Sequence, residues 1–568
     1  MARSIEIGSE KAGAATLPVK ARGRAFAEAL ERRAVLVLVV LCALGFSLRA
    51  GGIGQIGFAE DEINKLDAVR AYASGNITPN AEHPMLMKSL IFVSTRAARA
   101  WNESAATTRS ALRISDEAAL RFPNILFGAL TIFPVFLLTA TFFGRRTALV
   151  AAALWATGVG AITYNRIAKE DTLLVFFMLF AFYFYIRAKQ ASGFDPALKR
   201  RNYVLSAAAF GLMLASKYFP HYFGLNMLYH HFARLRERAP GEPRGATPGL
   251  FYLVVALAFL AANPSVLVPQ TWAYLDAYSS EQLLTHHGYL MGTQLYDNVM
   301  SKTPFGGTPV YFYLLSLAIK TPLPLLCALC VGLFEIVRRR RQAGPAFLLL
   351  MFVLWIVPYS LVGAKWLRYT LSLLPFVYMI GAVGIAALVR WCASFVGDEE
   401  RRATYVPILA GAVAGIIFVV APAWAAYRSM PHYALYTNAL DSHGAGYFFP
   451  HDEFYDDGLR EAIKYVAEHA PQNATIAHET PGVTRYYLEK FGRTDLRSRI
   501  ISDSQFDATR EPGPLYLILQ RGRTYFENRA ELEAVRTGGG FRREHVVVVG
   551  GATAAEVYVR AGAQVSRR

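Results

Sequence analysis

The chain has 568 residues, of which 54% are hydrophobic and 18% charged, and its mean hydropathy is +0.27. This balance excludes an ordinary soluble protein of that length and is typical of a chain that crosses a membrane many times. The formal net charge is +17. In a membrane protein, excess Lys and Arg indicates topology before it indicates nucleic-acid binding.

Apolar runs along the chain predict its membrane-spanning helices, each of which needs about 20 mostly apolar residues. Eleven spans are predicted, the fifth and sixth being short and nearly continuous. Their bounds are 34–52, 121–143, 147–164, 171–187, 203–218, 219–234, 249–267, 311–337, 345–363, 369–390 and 405–427. The sequence therefore predicts a mainly α-helical, polytopic membrane protein.

The basic residues predict the orientation of these spans. If the N-terminus is cytoplasmic, every inside connection carries Lys or Arg, as the positive-inside rule requires. These connections contain Arg145, Arg146, Arg187, Lys189, Lys199, Arg200, Arg201, Arg234, Arg236, Arg238, the run 338–341, Arg390, Arg401 and Arg402. An odd number of spans then places the C-terminal region outside, and most of the net charge is explained without nucleic acid.

This topology divides the chain into three parts. Residues 1–33 form a basic cytoplasmic N-terminus, residues 34–427 the transmembrane domain, and residues 428–568 a small extracytoplasmic α/β domain. The transmembrane domain carries two large outer loops, at 53–120 and 268–310. Periodicity predicts helices at 61–73, 84–100, 456–469 and 483–491, and strands at 474–478, 515–520, 545–549 and 556–560, the last two paired across a turn.

Acidic residues open the first outer loop, in the stretch "FAEDEINKLDAVRAY". Asp61 and Glu62 lie a few residues beyond the first span, with Glu60 before them. Carboxylates favour the positive end of a helix dipole, so a purely structural helix start is one interpretation. The same loop continues with "EHPMLMKSL", which contains Glu82, His83 and Lys88.

Cations recur in the short outer turns, against the positive-inside preference, and so need another reason. The turns "YNRIAKEDTLL", "ASKYFPHYF" and "GAKWLRYTL" contain Arg166, Lys169, Glu170, Asp171, Lys217, Lys365 and Arg368. Lys and Arg bind phosphate oxygens strongly, although each alone could be an interfacial anchor. Together with the acids they predict group transfer from a lipid-linked phosphate to a hydroxyl. A carboxylate takes the acceptor proton, and the cations stabilise charge on the departing phosphate.

These segments resemble, in order and spacing, the GT-C membrane glycosyltransferases, in particular the protein O-mannosyltransferase and aminoarabinose-transferase group. The resemblance rests on the Asp-Glu pair, on "HPMLMK", on "RFPNILFGALTIFPVFLL" with "FFGRRTALVAAAL", and on "YNRIAKEDTLLVFF". It covers residues 34–427. Met85 stands where the family's His-Pro-Pro element has its second proline, and the predicted α/β region differs from the β-trefoil of eukaryotic protein mannosyltransferases.

The resemblance implies an inverting hexosyl- or pentosyltransferase of the bacterial inner membrane that uses a polyprenyl-phosphate sugar at the outer, periplasmic face. It implies Asp61 as general base, Glu62 as a support that orients the acceptor or the loop, and Glu60 as a solvated neighbour. The residues expected in the acceptor cavity are Glu82, His83, Lys88 and Asp171. Those expected to bind the donor phosphate are Arg166, Lys217, Lys365 and Arg368. Membrane lipids and a protein, lipid A or glycan acceptor are the other expected partners.

Other functions stay open on the residues alone. A transporter or lipid flippase without covalent chemistry would show internal repeats and charges at the membrane centre, and neither is seen in the sequence. A scaffold would use its C-terminal region to bind a partner, and deletion beyond residue 428 would then leave donor binding intact. No cofactor is assigned, and a divalent cation at His286 and His287, with Glu82 or His83, is an alternative to ordinary hydrogen bonding in that loop.

Overall fold

A computed structural model describes most of the chain. The described residues are 19–104, 107, 112–218, 224–225, 241, 248–279, 287–300, 302, 305–395, 409 and 411–560. Nearly all of the predicted sixth span, the start of the predicted eleventh and His286 lie outside them. The described chain is mainly helical, with a small sheet region towards its C-terminus.

Helices dominate the first three quarters of the chain. Those before residue 280 are α1 (Val19–Ala50), α2 (Glu60–Tyr72), α3 (Met85–Glu103), α4 (Asp116–Leu130), α5 (Ile132–Thr157), α6 (Val159–Asn165), α7 (Asp171–Gln190), α8 (Pro196–Ser216), α9 (Pro248–Ala262) and α10 (Pro269–Ser279). Those from residue 312 to 429 are α11 (Phe312–Lys320), α12 (Leu323–Arg338), α13 (Ala343–Leu361), α14 (Leu374–Ser394) and α15 (Ala421–Ser429). The helices predicted in the first outer loop are α2 and α3, and both predictions are confirmed.

Six stretches of the described residues are long and apolar enough to cross a membrane. They are Ala34–Gln55, Asp116–Thr157, Asp171–Gln190, Ala343–Leu361, Leu374–Ser394 and Gly411–Ser429. Their length and composition make this a multi-pass membrane protein. The count of eleven spans stays a prediction.

Two helix interruptions have local causes. Gly144 lies between the predicted second and third spans with a φ of 81°, a conformation that favours glycine, and it bends α5. The predicted span 311–337 is divided instead of continuous. Thr321 is extended because it precedes Pro322, so α11 ends and α12 begins on either side of this pair.

The C-terminal region is built around a five-stranded sheet. Its elements are α16 (Pro450–Phe454), α17 (Leu459–His469), β3 (Thr475–His478), α18 (Pro481–Lys490), β4 (Arg497–Ile500), β5 (Leu515–Gln520), α19 (Arg529–Thr537), β6 (Phe541–Val549) and β7 (Ala552–Arg560). The strand order is β4-β3-β5-β7-β6, with β4, β3 and β5 parallel and β7 antiparallel to both of its neighbours. The predicted strands and the predicted hairpin are confirmed.

Several described elements were not predicted, among them an edge strand, a short helix and a hairpin. The edge strand β4 reads "RSRI" and is largely exposed. Helix α19 has only two buried side chains, those of Leu532 and Val535. In the second outer loop, Tyr289–Met291 (β1) and Gln294–Tyr296 (β2) form a short antiparallel hairpin.

One hydrophobic core joins the C-terminal region to the first outer loop. Phe58 and Ile63 of the loop lie in the same buried cluster as Leu459, Tyr487 and Val557 of the C-terminal region. Further loop members of this cluster are Leu66, Val69, Met87 and Ile91. The residues that open the first loop are therefore packed against the sheet-bearing region and do not project freely into solvent.

Candidate active site

The N-terminus of α2 places the acidic residues of the first loop. Glu60, Asp61 and Glu62 form the first turn, where carboxylates interact favourably with the exposed backbone amides. The Glu62 side chain accepts a hydrogen bond from the Ala59 amide at 3.1 Å and so caps its own helix. Since successive helical residues are about 100° apart, the three carboxylates face different surroundings.

Glu62 is buried and serves the architecture of the loop. Its side chain is 1% exposed and is bound by the Arg121 guanidinium, with Nε donating to Oε1 at 2.8 Å. The Ala168 amide donates to the same oxygen at 2.9 Å. One carboxylate thus links α2, α4 and the turn before α7, a geometry that favours support of the loop over contact with an acceptor.

Asp61 lies at the centre of a group of donors from distant parts of the chain. Its Oδ2 accepts a hydrogen bond from Tyr455 Oη at 2.6 Å and forms an ion pair with Lys169 Nζ at 2.9 Å. The Arg368 guanidinium is 3.5 Å from the same oxygen. The Asp61 side chain nevertheless remains 33% exposed, whereas that of Lys169 is 5% exposed. A carboxylate flanked by two cations therefore meets an accessible space.

The charges of this group shift one another's pKa values. Burial raises the pKa of Asp61, but Lys169, Arg368 and Lys65, with the Tyr455 hydrogen bond, together hold it well below its usual value. Burial lowers the pKa of Lys169 to about 8, although Asp61 opposes the shift. Burial also acts to lower the pKa of Arg368, but Asp61 keeps it well above its usual value. Asp61 is thus an anion at neutral pH.

A second acid–base group lies beside the first. Glu170 pairs with Lys65 Nζ at 2.9 Å, and His83 Nδ1 is 3.8 Å from the other Glu170 oxygen. Burial lowers the pKa of His83 well below its usual value, despite the opposing charge of Glu170, so its imidazole is neutral. Glu82 accepts a hydrogen bond from the Asn80 amide group. Asp61 also acts electrostatically on His83, so this histidine lies near the Asp61 group, whereas the Glu82 contact stays within its own loop.

Lys88 supports this loop from beneath. Its ammonium group is buried and donates to the carbonyl oxygens of Asn80 and His83 at 2.5 and 2.8 Å. Burial lowers its pKa to about 8. Because its donors are directed to backbone carbonyls, Lys88 holds the loop that carries Glu82 and His83.

The predicted phosphate-binding residues fall into two sets. Arg368 borders Asp61, and its guanidinium lies over the Trp366 and Tyr369 rings at 5.3 and 5.5 Å. Lys217 Nζ lies 4.7 Å from the centre of the Tyr369 ring and forms an ion pair with Asp171 at 2.6 Å. The Tyr369 ring therefore lies against both Arg368, which is beside Asp61, and the Lys217–Asp171 ion pair.

Arg166 and Lys365 both donate to backbone carbonyl oxygens, and within the described residues Nη2 of Arg166 is buried without a hydrogen-bond partner. Arg166 donates to the carbonyl oxygens of Arg49 and Gly51, both at 2.6 Å. Lys365 is 1% exposed and donates to the Thr308 carbonyl at 2.7 Å and to the Val362 carbonyl. In this structure both residues tie loops together, and neither has a contact with the Asp61 group.

Some residues of the site were given no role from the sequence. Lys169 lies in a turn whose charges were noted, but only the fold shows that its ammonium group reaches Asp61. Tyr455 carried no signal, because it is 394 positions from Asp61. Glu60 differs from the expectation of a solvated neighbour: its carboxylate accepts a hydrogen bond from Arg523 at 2.7 Å.

The predicted metal residues give no further support for a cation. His287 Nδ1 lies 3.1 Å from Glu527 Oε1, a two-residue contact. Within the described ranges, no group of three or more His, Cys, Asp or Glu side chains is arranged to hold a metal ion. His286 lies outside those ranges.

Residues 105–275 match the family described as dolichyl-phosphate-mannose-protein mannosyltransferase. No curated protein sequence matches the chain.

Solved membrane glycosyltransferases are similar over much of the chain. ArnT from Cupriavidus metallidurans bound to undecaprenyl phosphate is 12% identical, with 94% of this chain and 99% of that chain covered and a TM-score of 0.47. The oligosaccharyltransferase AglB from Archaeoglobus fulgidus, in complex with an inhibitory peptide and a dolichol-phosphate, is 12% identical, with coverages of 86% and 69% and a TM-score of 0.43. The S. cerevisiae Pmt1-Pmt2 complex bound to the sugar donor is 14% identical, with coverages of 46% and 38% and a TM-score of 0.29.

The family match falls on the segment that contains α4 to α9 and the start of α10, including the turn with Lys169 before α7. That segment overlaps the region in which the sequence motifs predicted the same relationship. Over these residues the chain resembles the GT-C membrane glycosyltransferases, as its sequence predicted.

Proposed function

We propose that the protein transfers a sugar from a polyprenyl-phosphate-linked donor to an acceptor hydroxyl, with Asp61 as the general base. The observation that carries the proposal is the Asp61 group. An accessible carboxylate, 33% exposed, lies 2.9 Å from Lys169 and 3.5 Å from Arg368. The reaction needs a base for the acceptor and cations for the departing phosphate. Asp61 is such a base, and the two cations lie within 3.5 Å of its carboxylate.

The reaction balances with these groups alone. The acceptor oxygen forms a bond to the anomeric carbon as the bond from that carbon to the phosphate oxygen breaks. The acceptor proton passes to Asp61, and the electron pair of the broken bond stays on the polyprenyl phosphate. Lys169 and Arg368 stabilise the charge that grows on the phosphate, and no general acid is needed for this leaving group. Attack from the face opposite the phosphate inverts the anomeric carbon.

Donor binding also prepares the base. Without donor, the two cations neutralise Asp61 and hold its pKa below its usual value. A donor phosphate competes for Lys169 and Arg368, since both bind phosphate oxygens well. Weaker pairing with Asp61 then raises the pKa of this carboxyl towards the range in which it accepts a proton efficiently.

We place the reaction at the outer face of a bacterial inner membrane, with the N-terminus cytoplasmic and residues 428–568 as a periplasmic α/β domain. The basic inside connections support this orientation, as does the convergence of α2, the turn before α7 and the segment before α14 at one site. The family match to mannosyltransferases that use dolichyl-phosphate mannose supports a polyprenyl-phosphate mannose as the first donor to test. A protein, lipid A or another glycan supplies the acceptor hydroxyl.

The test is transfer of radiolabelled mannose from polyprenyl-phosphate mannose in membranes that contain the full chain and its native acceptors. The expected result is a labelled covalent product and release of polyprenyl phosphate, both lost in Asp61→Asn. Uptake of the labelled substrate into proteoliposomes that contain the protein, without formation of a new covalent bond, would instead support a transporter. Full activity in purified Asp61→Asn would contradict the role of Asp61.

A further inference from the structure

The C-terminal region supplies one donor to the proposed base. Tyr455 lies just after α16, and its phenolic hydroxyl donates to Asp61 Oδ2 at 2.6 Å. Its backbone is left-handed, with a φ of 44°, and the following Asp456 is also left-handed, with a φ of 65°. Two consecutive non-glycine residues rarely adopt this conformation, and such strain persists only where the surroundings hold it.

Asp456 holds this turn against the start of α2. Its Oδ2 accepts a hydrogen bond from the Glu60 amide at 3.0 Å, one residue before Asp61. Its Oδ1 accepts hydrogen bonds from Arg523 Nε at 2.7 Å and from Gln520 Nε2 at 3.1 Å. Arg523 also donates to the Glu60 carboxylate at 2.7 Å. The buried Asp456 and Arg523 thus fix the direction of Tyr455 relative to the helix that carries Asp61.

We infer that Tyr455 is a positioning residue for Asp61. The C-terminal region is then part of the active site and not only a domain attached to it. This inference rests on the proposed function. The Tyr455 hydrogen bond and the nearest approaches of Lys169 and Arg368 all fall on Oδ2 of Asp61. We assign Oδ1 as the oxygen that meets the acceptor. Tyr455 holds Oδ2 in that orientation, including when the donor phosphate draws Lys169 and Arg368 away.

The exposure of the Asp61 side chain indicates that Tyr455 positions this carboxylate and does not block the acceptor from reaching it. With the Tyr455 hydroxyl in contact, the Asp61 side chain is still 33% exposed. An acceptor can therefore approach the carboxylate while Tyr455 stays in place. If Tyr455 occupied the acceptor position as a plug, its removal would increase activity, and this opposite sign makes the two roles separable.

Several charged or titratable side chains face Asp61 besides Tyr455, and they bear on any pH measurement. They are Glu60 and Lys65 from α2, His83 from the first loop, Lys169 from the turn before α7, Arg368 from the segment before α14, and His451 from α16. Tyr455→Phe removes one hydrogen bond to the anion and leaves all of these charges. Since that hydrogen bond favours the ionised carboxylate, its loss raises the pKa of Asp61.

The experiment compares the full-length Tyr455→Phe variant with Tyr465→Phe, a tyrosine of α17 that stacks on His469 and His545 and has no contact with Asp61. Release of polyprenyl phosphate is measured in membranes against donor concentration and pH. For Tyr455→Phe we expect kcat to fall about 10- to 100-fold, with the donor KM nearly unchanged and the acid limb of kcat at higher pH. Tyr465→Phe is expected to match the unmodified protein.

Asp61→Asn, measured alongside, separates the possible failures. If Asp61→Asn is inactive but Tyr455→Phe keeps the original kcat and pH profile, the positioning role is wrong and the proposed function stands. A rise in kcat for Tyr455→Phe also overturns it, in favour of a plug. If Asp61→Asn retains full activity, the proposed base fails and the role of Tyr455 fails with it. A lower kcat with an unshifted pH profile and reduced thermal stability contradicts the inference, since a general loss of structure explains it.

Discussion

Asp61 and Glu62 are adjacent on α2, yet their carboxylates have opposite surroundings. Glu62 is 1% exposed and bound to Arg121, whereas Asp61 is 33% exposed and bound through one oxygen to Tyr455 and Lys169. A buried ion pair with a full set of donors is a structural feature. An accessible carboxylate between cations is suited to chemistry, so we expect the two acids to respond differently to the same substitution.

Asp61→Asn is expected to reduce sugar transfer at least 100-fold while the protein stays folded, because an amide cannot take the acceptor proton. Transfer is measured in membranes, and folding by size-exclusion chromatography and thermal unfolding in detergent. Asp67→Asn is the matched control, since Asp67 lies on the same helix in exposed ion pairs with Arg70 and Arg485. Equal activity losses in both variants would contradict a specific role for Asp61.

Glu62→Gln is expected to destabilise the protein. The substitution leaves Arg121 buried without its charge partner, and removal of one member of a buried pair costs about 3–5 kcal/mol. A lower thermal unfolding temperature, set against unchanged unfolding of Asp61→Asn, is the measurement. If Glu62→Gln unfolds like the unmodified protein but loses transfer, then Glu62 acts on the acceptor directly.

Arg368→Gln is expected to lower kcat/KM for the donor about 100-fold, because a cation beside the departing phosphate is lost. Lys365→Gln offers a contrast, since its ammonium group donates to the Thr308 and Val362 carbonyls and does not contact the Asp61 group. We expect Lys365→Gln to lower the thermal stability of the protein more than it lowers kcat/KM for the donor. A larger fall in kcat/KM for Lys365→Gln than for Arg368→Gln would reverse the assignment of these two residues.

We expect kcat/KM to fall as the pH rises into the alkaline range. The pKa of Lys169 is lowered to about 8, so its ammonium charge is complete below that pH and is lost as pH rises through it. Loss of the charge weakens stabilisation of the phosphate. Asp61, whose pKa Lys169 and Arg368 hold well below the usual value against the effect of burial, produces no acid limb in kcat/KM near neutral pH.

Lys169→Arg should remove that alkaline fall, since the guanidinium stays charged throughout the accessible range. An alkaline limb that persists unchanged in Lys169→Arg would assign it to another group. Lys88 and Lys365 are the first to test in that case, because burial lowers the pKa of each to about 8.

Deletion of the residues after Arg428 should abolish donor binding as well as transfer. The first loop and the C-terminal region share one hydrophobic core, so the truncation exposes Phe58, Ile63 and their neighbours to water. Retention of a labelled donor by the detergent-purified truncated chain is the measurement. A folded, donor-binding truncation would support the alternative in which the C-terminal region only recruits a partner.

Much of the site could be predicted from the chain alone. Asp61, Lys217 and Arg368 were identified because carboxylates and cations recur in turns that the apolar spans and the positive-inside pattern assign to one face. The same patterns predicted α2, α3 and most of the C-terminal sheet. Periodicity and charge are local properties, so they identify elements and the side of the membrane on which short turns lie.

The contacts that each side chain makes could not be predicted from its neighbours in the sequence. Whether a cation contacts a carboxylate or a carbonyl depends on how the helices pack. Lys169 and Arg368 lie beside the Asp61 carboxylate, whereas Lys365 and Arg166 donate to backbone carbonyls. Tyr455 and Asp61 meet across 394 positions only because the C-terminal region packs on the first loop. The sequence by itself determined the kind of protein and the acids and cations available to it. Only the tertiary structure decided which acid lies beside Lys169 and Arg368, because burial and pairing arise from contacts between segments far apart in the chain.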